Sequence, residues 1–185
     1  MEFLSMRILA ISGSLRAASS NTALLHAATA LAPESIEVTV YGGLADLPHF
    51  NPDLDGEGIT AVMDFRSQLQ TCDGVLISSP EYAHGVPGVL KNALDWVVAS
   101  AEFVDKPVAL INASPRAIHA QASLTETLTV MTASLVAEAS ITVPLLGKTL
   151  DEDGIVSNPE ISEALRSGIV AFARAIGSHR AKTGE

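Results

Sequence analysis

Ile8-Leu9-Ala10-Ile11-Ser12-Gly13-Ser14-Leu15-Arg16-Ala17-Ala18-Ser19-Ser20-Asn21 begins as an apolar run and changes character at Ser12. The first part reads as a buried parallel strand, since such strands are covered on both faces and carry near-continuous aliphatic residues. The second part is a loop of serines with one glycine, one arginine and one asparagine. Ala23, Leu24, Ala27, Ala28 and Leu31 then recur at helical spacing. Strand, polar loop, helix is how an α/β protein builds an anion site. The first N–H groups of the helix have no internal acceptor, and the helix dipole adds partial positive charge there. Short hydroxyls and a guanidinium complete a cradle suited to a phosphate. The alternative is that Ser19 or Ser20 only caps the helix, worth about 1 kcal/mol. Spacing alone leaves both readings open.

The pattern continues outward from this stretch. Ile36, Val38 and Val40 alternate, which predicts a second strand over 36–41, ended by Gly42-Gly43. A long irregular segment over 44–58 follows, of a length that often carries function. A helix is expected over 59–71 and a strand over 74–79. A polar loop over 80–88 leads to a helix over 89–101 and a strand over 107–113. A helix over 123–136, a short strand over 140–145, a linker over 146–158 with an acidic turn, and a last helix from Pro159 to about Ile176 complete the chain. Strand–helix order repeated in this way implies a parallel sheet covered on both faces, with right-handed crossovers. Ligands in such sheets bind at the carboxyl ends of strands, so the loops after the first, third and fourth strands are the ones that matter.

Composition narrows the function classes. The 185 residues are expected to form a single domain, residues 1–185, with 1–5 a short extension. A chain of this size buries roughly 70% of its extended surface. With 48% hydrophobic and 17% charged residues the chain suits a packed core and not disorder. A formal net charge of −10 disfavours nucleic-acid binding, which needs clustered Lys and Arg. One cysteine, Cys72, supports neither an intrachain disulfide nor a thiolate metal site, and reads as a small buried hydrophobe. Asp53-Leu54-Asp55-Gly56 lacks the remaining ligand spacing of a calcium loop, and the five histidines fall at no metal-ligand spacing, so no metal is expected. The N-terminus lacks the features of a signal peptide and no eighteen-residue apolar run exists, which leads us to expect a cytoplasmic protein.

The loop over 12–21 is not a dinucleotide fingerprint, a Walker A loop or a hydrolase nucleophile elbow, because Gly-x-Gly-x-x-Gly, Gly-Lys-Ser/Thr and Gly-x-Ser-x-Gly are all absent. A monophosphate fits what remains. The second loop contains Pro80, Glu81, Tyr82, Ala83, His84, Gly85, Val86, Pro87 and Gly88. Its prolines and glycines fix the path of the backbone, and Tyr82 offers a flat face. Trp96, further along, reads as a core or subunit-contact residue.

Three blocks carry a resemblance. Gly13-Ser14-Leu15-Arg16-x-x-Ser19-x-Asn21, then Leu47-Pro48-x-Phe50-Asn51-x-Asp53, then Pro80-Glu81-Tyr82-x-x-Gly85-x-Pro87-Gly88-x-Leu90-Lys91-Asn92-Ala93-Leu94-Asp95-Trp96 resemble the NADPH-dependent FMN reductase family, in order and spacing. The resemblance implies a flavodoxin-like three-layer α/β/α sandwich with a five-stranded parallel sheet of order 2-1-3-4-5. It also implies a homodimer, or a dimer of dimers giving a homotetramer, with FMN at the subunit boundary. By the same resemblance, Ser14, Arg16, Ser19, Ser20 and Asn21 would hold the FMN phosphate. Pro80, Glu81 and Tyr82 would line the ring and ribityl chain, chiefly by backbone N–H contacts and ring packing, Gly85 would permit close backbone approach, and His49 and His84 would border the cleft. The helix over 90–96 would contribute to the dimer contact.

Two departures stand out. Many members have Asn after the tyrosine, where this chain has Ala83. Many also have glycines in the loop after the fourth strand, which here reads Ala113-Ser114-Pro115-Arg116-Ala117-Ile118-His119-Ala120. Ser114 matches the usual serine. Arg116, with His119, is expected to replace the missing contacts at the flavin or at a nicotinamide nucleotide phosphate; a solvated arginine and a helix-start histidine are the alternative. The implied chemistry is hydride passage from NADPH or NADH through bound FMN to a quinone, flavin or similar small acceptor, without a protein acid or base. The rival readings are a non-enzymatic flavodoxin-like electron carrier and a flavin-binding module.

Overall fold

The computed structural model describes residues 5–54, 56–143, 145 and 150–184. Met1–Leu4 of the expected extension, Asp55 of the acidic loop, Pro144 and residues 146–149 of the expected linker lie outside the described residues. Strands β1 (Met6–Ser12), β2 (Ile36–Val40), β3 (Gly74–Ser78), β4 (Pro107–Asn112), β5 (Ser134–Leu135) and β6 (Ile141–Thr142) alternate with helices. The helices are α1 (Ser20–Leu31), α2 (Thr60–Thr71), α3 (Gly88–Val97), α4 (Ile118–Val130), a short α5 (Glu152–Val156) and α6 (Pro159–Thr183). All strand pairs are parallel, in the order β2-β1-β3-β4-β5, with β6 also beside β4. This is the flavodoxin-like arrangement, with its switch point between β1 and β3.

Period-two alternation of the strands supplies two cores. Ile8, Ala10, Leu76, Ala109 and Ile111 face one side, where Leu24 and Ala28 of α1 and Leu165, Ile169 and Phe172 of α6 cover them. Leu9, Ile11, Val75, Ile77, Val108 and Leu110 face the other, under Phe65 of α2, Trp96 of α3 and Leu124 and Leu128 of α4. The central strands are buried on both faces, which is why they read as unbroken apolar runs.

Three boundaries differ from the sequence expectations, each for a tertiary reason. α4 starts at Ile118 and stops at Val130, not over 123–136. Thr132 adopts a left-handed φ of 59°, and the Ser134 N–H then donates to the Lys106 carbonyl at 2.9 Å, so the chain leaves the helix to join the sheet. The fifth strand, expected over 140–145, is split. Ser134–Leu135 pairs with Pro107–Val108, a 3-10 turn over Ala137–Ala139 interrupts, and Ile141–Thr142 pairs with Ile111–Asn112. α6 runs on past Ile176 to Thr183, where Gly184 at φ 78° ends it. Its apolar stripe ends at Ile176, but Arg180 on the next turn pairs with Asp73 at the start of β3 and holds the extension down.

Candidate functional site

The carboxyl ends of β1, β3 and β4 bring three loops together. The first is locked from below. The Gly13 N–H donates to the Ser78 carbonyl at 2.8 Å, joining the end of β1 to β3. A Cβ on Gly13 would lie 2.5 Å from Ser79 Oγ and 3.1 Å from Leu90 Cδ2, so only glycine fits. Ser12 Oγ and Thr22 Oγ1 are 2.7 Å apart and bind the two ends of the loop. Ser12, Gly13 and Thr22 are positions that sequence reasoning left out of the site; the glycine's place directly after a strand was the available signal.

The predicted anion residues divide into two kinds. Ser19 is buried and is the N-cap of α1, its Oγ accepting the Thr22 N–H at 3.3 Å. Ser19 thus caps the helix through its oxygen and keeps its O–H as a donor. Asn21 is also buried, and its Oδ1 accepts the Ser78 hydroxyl at 3.0 Å, which leaves its amide NH2 as the free part of the group. Ser14, Arg16 and Ser20 face outward. Ser14 Oγ accepts the Arg16 N–H at 3.2 Å and turns the chain so that the exposed guanidinium stands beside the helix start. Among the described residues no carboxylate pairs with Arg16. The N–H groups of Ala17, Ala18, Ser20 and Asn21 likewise meet no acceptor among the described residues. Unused donors, a free cation and the positive end of a twelve-residue helix fit a phosphate. A cavity of about 430 Å³ opens beside Arg16, Ser20 and His26, and Asp151 and Glu152 close its far side.

The loop after β3 is a tight turn. The Tyr82 N–H donates to the Gly85 carbonyl at 3.1 Å and the Gly85 N–H to the Tyr82 carbonyl at 2.9 Å. Between them Ala83 and His84 take φ of 49° and 60°, the left-handed pair of a type I′ turn. Asn tolerates that region far better than Ala, which gives the family's Asn a physical meaning at position 83. The Tyr82 ring is 58% exposed and stands open at the mouth of the site. Glu81 points elsewhere: its Oε2 accepts the Ala120 N–H in the first turn of α4 at 2.8 Å. The His84 and His119 rings stack at 4.1 Å. Gly85 has no left-handed φ, and a Cβ there would sit 3.6 Å from the Tyr82 carbonyl oxygen, so nothing inside the chain demands glycine at that position.

The glycine-free loop after β4 turns without any left-handed residue. Asn112, buried, accepts the Ser114 N–H on its Oδ1 at 2.9 Å. Ser114 Oγ accepts the Arg116 N–H at 3.3 Å, and the Ala117 N–H donates to the Ser114 carbonyl at 3.1 Å. Ser114 thus presents Arg116 much as Ser14 presents Arg16. His119 begins the helix in contact with His84, and Arg116 is exposed.

The second block of the motif is tied to the third through α3. Asn92 Nδ2 and Trp96 Nε1 both donate to the Pro48 carbonyl, at 2.9 and 2.8 Å. Asn92 Oδ1 accepts the Phe50 N–H at 2.8 Å, and the Phe50 ring meets Trp96 edge-on at 5.2 Å. Trp96 is buried, as a core residue should be. His49 is exposed beside this junction.

The chain is similar to known redox proteins. It is 33% identical over 177 residues to a probable NADPH:quinone oxidoreductase 2 of Oryza sativa, covering 90% of this chain and 87% of that one. It is 38% identical over 112 residues to an NAD(P)H-dependent FMN reductase of Pseudomonas aeruginosa, covering 59% of this chain and 60% of that relative. Among solved structures it is similar to FerB, a flavoenzyme NAD(P)H:(acceptor) oxidoreductase from Paracoccus denitrificans. That match has a TM-score of 0.82 at 28% identity and covers 94% of this chain and 98% of that one. An azoreductase from Bacillus anthracis shares the fold, with a TM-score of 0.56. The model of the family described as NADPH-dependent FMN reductase matches residues 6–145, which contain all three loops, and the chain belongs to that family.

Proposed function

We propose that this chain, by family an NADPH-dependent FMN reductase, passes electrons from NAD(P)H through bound FMN to a quinone, a flavin or a similar small acceptor. The observation that carries the reading is the loop over 14–21, where N–H donors and Arg16, without partners among the described residues, meet at the start of α1. When bound, FMN accepts a hydride and returns the electrons to the acceptor. Everything else is left to the chain. Ser14, Arg16, Ser20 and the Asn21 amide hold the phosphate, while Ser19 keeps the helix start in shape. Pro80, Tyr82, His84 and Gly85 border the ring, with Glu81 tying that turn to α4. Ser114 and Arg116 close the third side, where a cation and N–H donors stabilise negative charge.

The same reading makes residues 1–185 one domain and the working unit a homodimer or dimer of dimers. Leu15, Tyr82 and Ile118, each more than half exposed on the three site loops, support a subunit partner covering the mouth. No helix among the described residues is long and apolar enough to cross a membrane, which is compatible with a cytoplasmic enzyme.

The test is the absorption spectrum of purified protein, followed by anaerobic NADPH titration and turnover with a quinone. Flavin absorption that bleaches with NADPH and is restored by the quinone is the expected result. Protein that takes up no FMN overturns the reading, and bleaching without turnover makes the chain a carrier. Arg16→Ala should weaken FMN binding about tenfold, the scale of one charge-assisted contact, without changing the melting temperature, since Arg16 is exposed and pairs with no carboxylate among the described residues.

A further inference from the structure

Glu81 and His84 sit in the loop expected to line the flavin, yet both side chains are engaged with α4. The Glu81 carboxylate accepts the Ala120 N–H at 2.8 Å, and the His84 ring stacks on His119 at 4.1 Å with 23° between the planes. Two contacts of different chemistry therefore join the same two elements, three residues apart on one side and adjacent on the other. Between them lies a turn that is strained by itself. Ala83 and His84 both occupy the left-handed region, which non-glycine residues enter at a cost of the order of 1 kcal/mol each. A two-residue turn with unfavourable residues needs outside support to stay in one conformation.

We propose that Glu81, His84 and His119 are positioning residues, a two-point latch that holds the Tyr82–Gly85 turn against the start of α4 and so fixes the face offered to the flavin. The proposal rests on the flavin reading above. Glu81 acts at a helix N-terminus, where a carboxylate is favoured by both the free N–H groups and the dipole. Arg116, two residues before α4, adds positive charge at the same helix start, and Glu81 offsets it from the other loop. The stacked His84 and His119 rings add a second contact between the same two elements.

The test compares wild type with Glu81→Ala, Glu81→Gln and His119→Phe. FMN affinity is measured by flavin fluorescence at neutral pH. Protection of the Ala120 amide from hydrogen exchange is measured without flavin. Glu81→Ala should weaken FMN about tenfold, the effect of losing one hydrogen bond to a charged group, and should strip the protection from Ala120. Glu81→Gln keeps an acceptor oxygen and should recover most of both. His119→Phe keeps a stacked ring and should retain more FMN affinity than Glu81→Ala. Unchanged Ala120 protection in Glu81→Ala overturns the latch, as does a His119→Phe loss of affinity as large as that of Glu81→Ala. If wild type binds no FMN, the flavin reading fails, and Ala120 protection alone then decides whether the latch exists. Should Glu81→Ala not fold, Glu81→Gln decides: full loss of affinity and protection in that variant contradicts the proposal.

Discussion

At the scale of single residues, the site depends on side chains that face inward. Gly13 is the sharpest case, because its missing Cβ lets the loop after β1 lie on Ser79. Gly13→Ala should cost about 1–3 kcal/mol as neighbours shift, read as a lower urea midpoint, and should weaken FMN with it. Ala83 offers the opposite change. Ala83→Asn places a residue that tolerates the left-handed region at φ 49°, and should raise stability by up to about 1 kcal/mol in a thermal melt. Cys72 is 7% exposed, and burial pushes its thiol up, with the Lys106 ammonium pulling the other way more weakly. The thiolate is the reactive form, so iodoacetamide should label the folded protein far more slowly than the urea-unfolded chain at neutral pH.

At the scale of elements, α3 joins the second and third motif blocks through residues more than forty positions apart. Its Asn92 satisfies Pro48 and Phe50 at once, and Trp96 adds a second donor to the same carbonyl. Asn92→Ala removes two of these bonds and leaves the Phe50 N–H without its partner. A loss of about 2 kcal/mol is expected by chemical denaturation. The split fifth strand shows how little pairing an edge needs when its neighbour is fixed. Two two-residue pieces suffice because β4 is already held by β3 on its other side.

At the scale of the molecule, the same strands serve both cores, so neither core is complete without the sheet. Trp96, the only tryptophan, reports the α2–α3–α4 side, whereas the long α6 lies on the other. Tryptophan fluorescence and far-UV circular dichroism should therefore give coincident urea transitions, as expected for one cooperative unit; separate midpoints would mean that the two sides unfold independently.

The sequence by itself determined the layer architecture and, through its family resemblance, the strand order. Those properties follow from apolar period, from Gly and Pro at strand ends, and from residue types with few alternative uses. Only the tertiary structure decided which partners the side chains of the strand-end loops have within the chain. Ser19 and Asn21 read as phosphate ligands, yet a cap and a clamp to β3 occupy their oxygens. The Glu81 backbone read as a flavin neighbour, and only the fold shows that its carboxylate meets α4. The end of α4, the break in the fifth strand and the last turns of α6 were likewise decided by contacts with Lys106, β4 and Asp73. A hydroxyl or carboxylate has the same letter whether it serves the fold or the ligand. Its partner is chosen by distances that exist only once remote segments have come together.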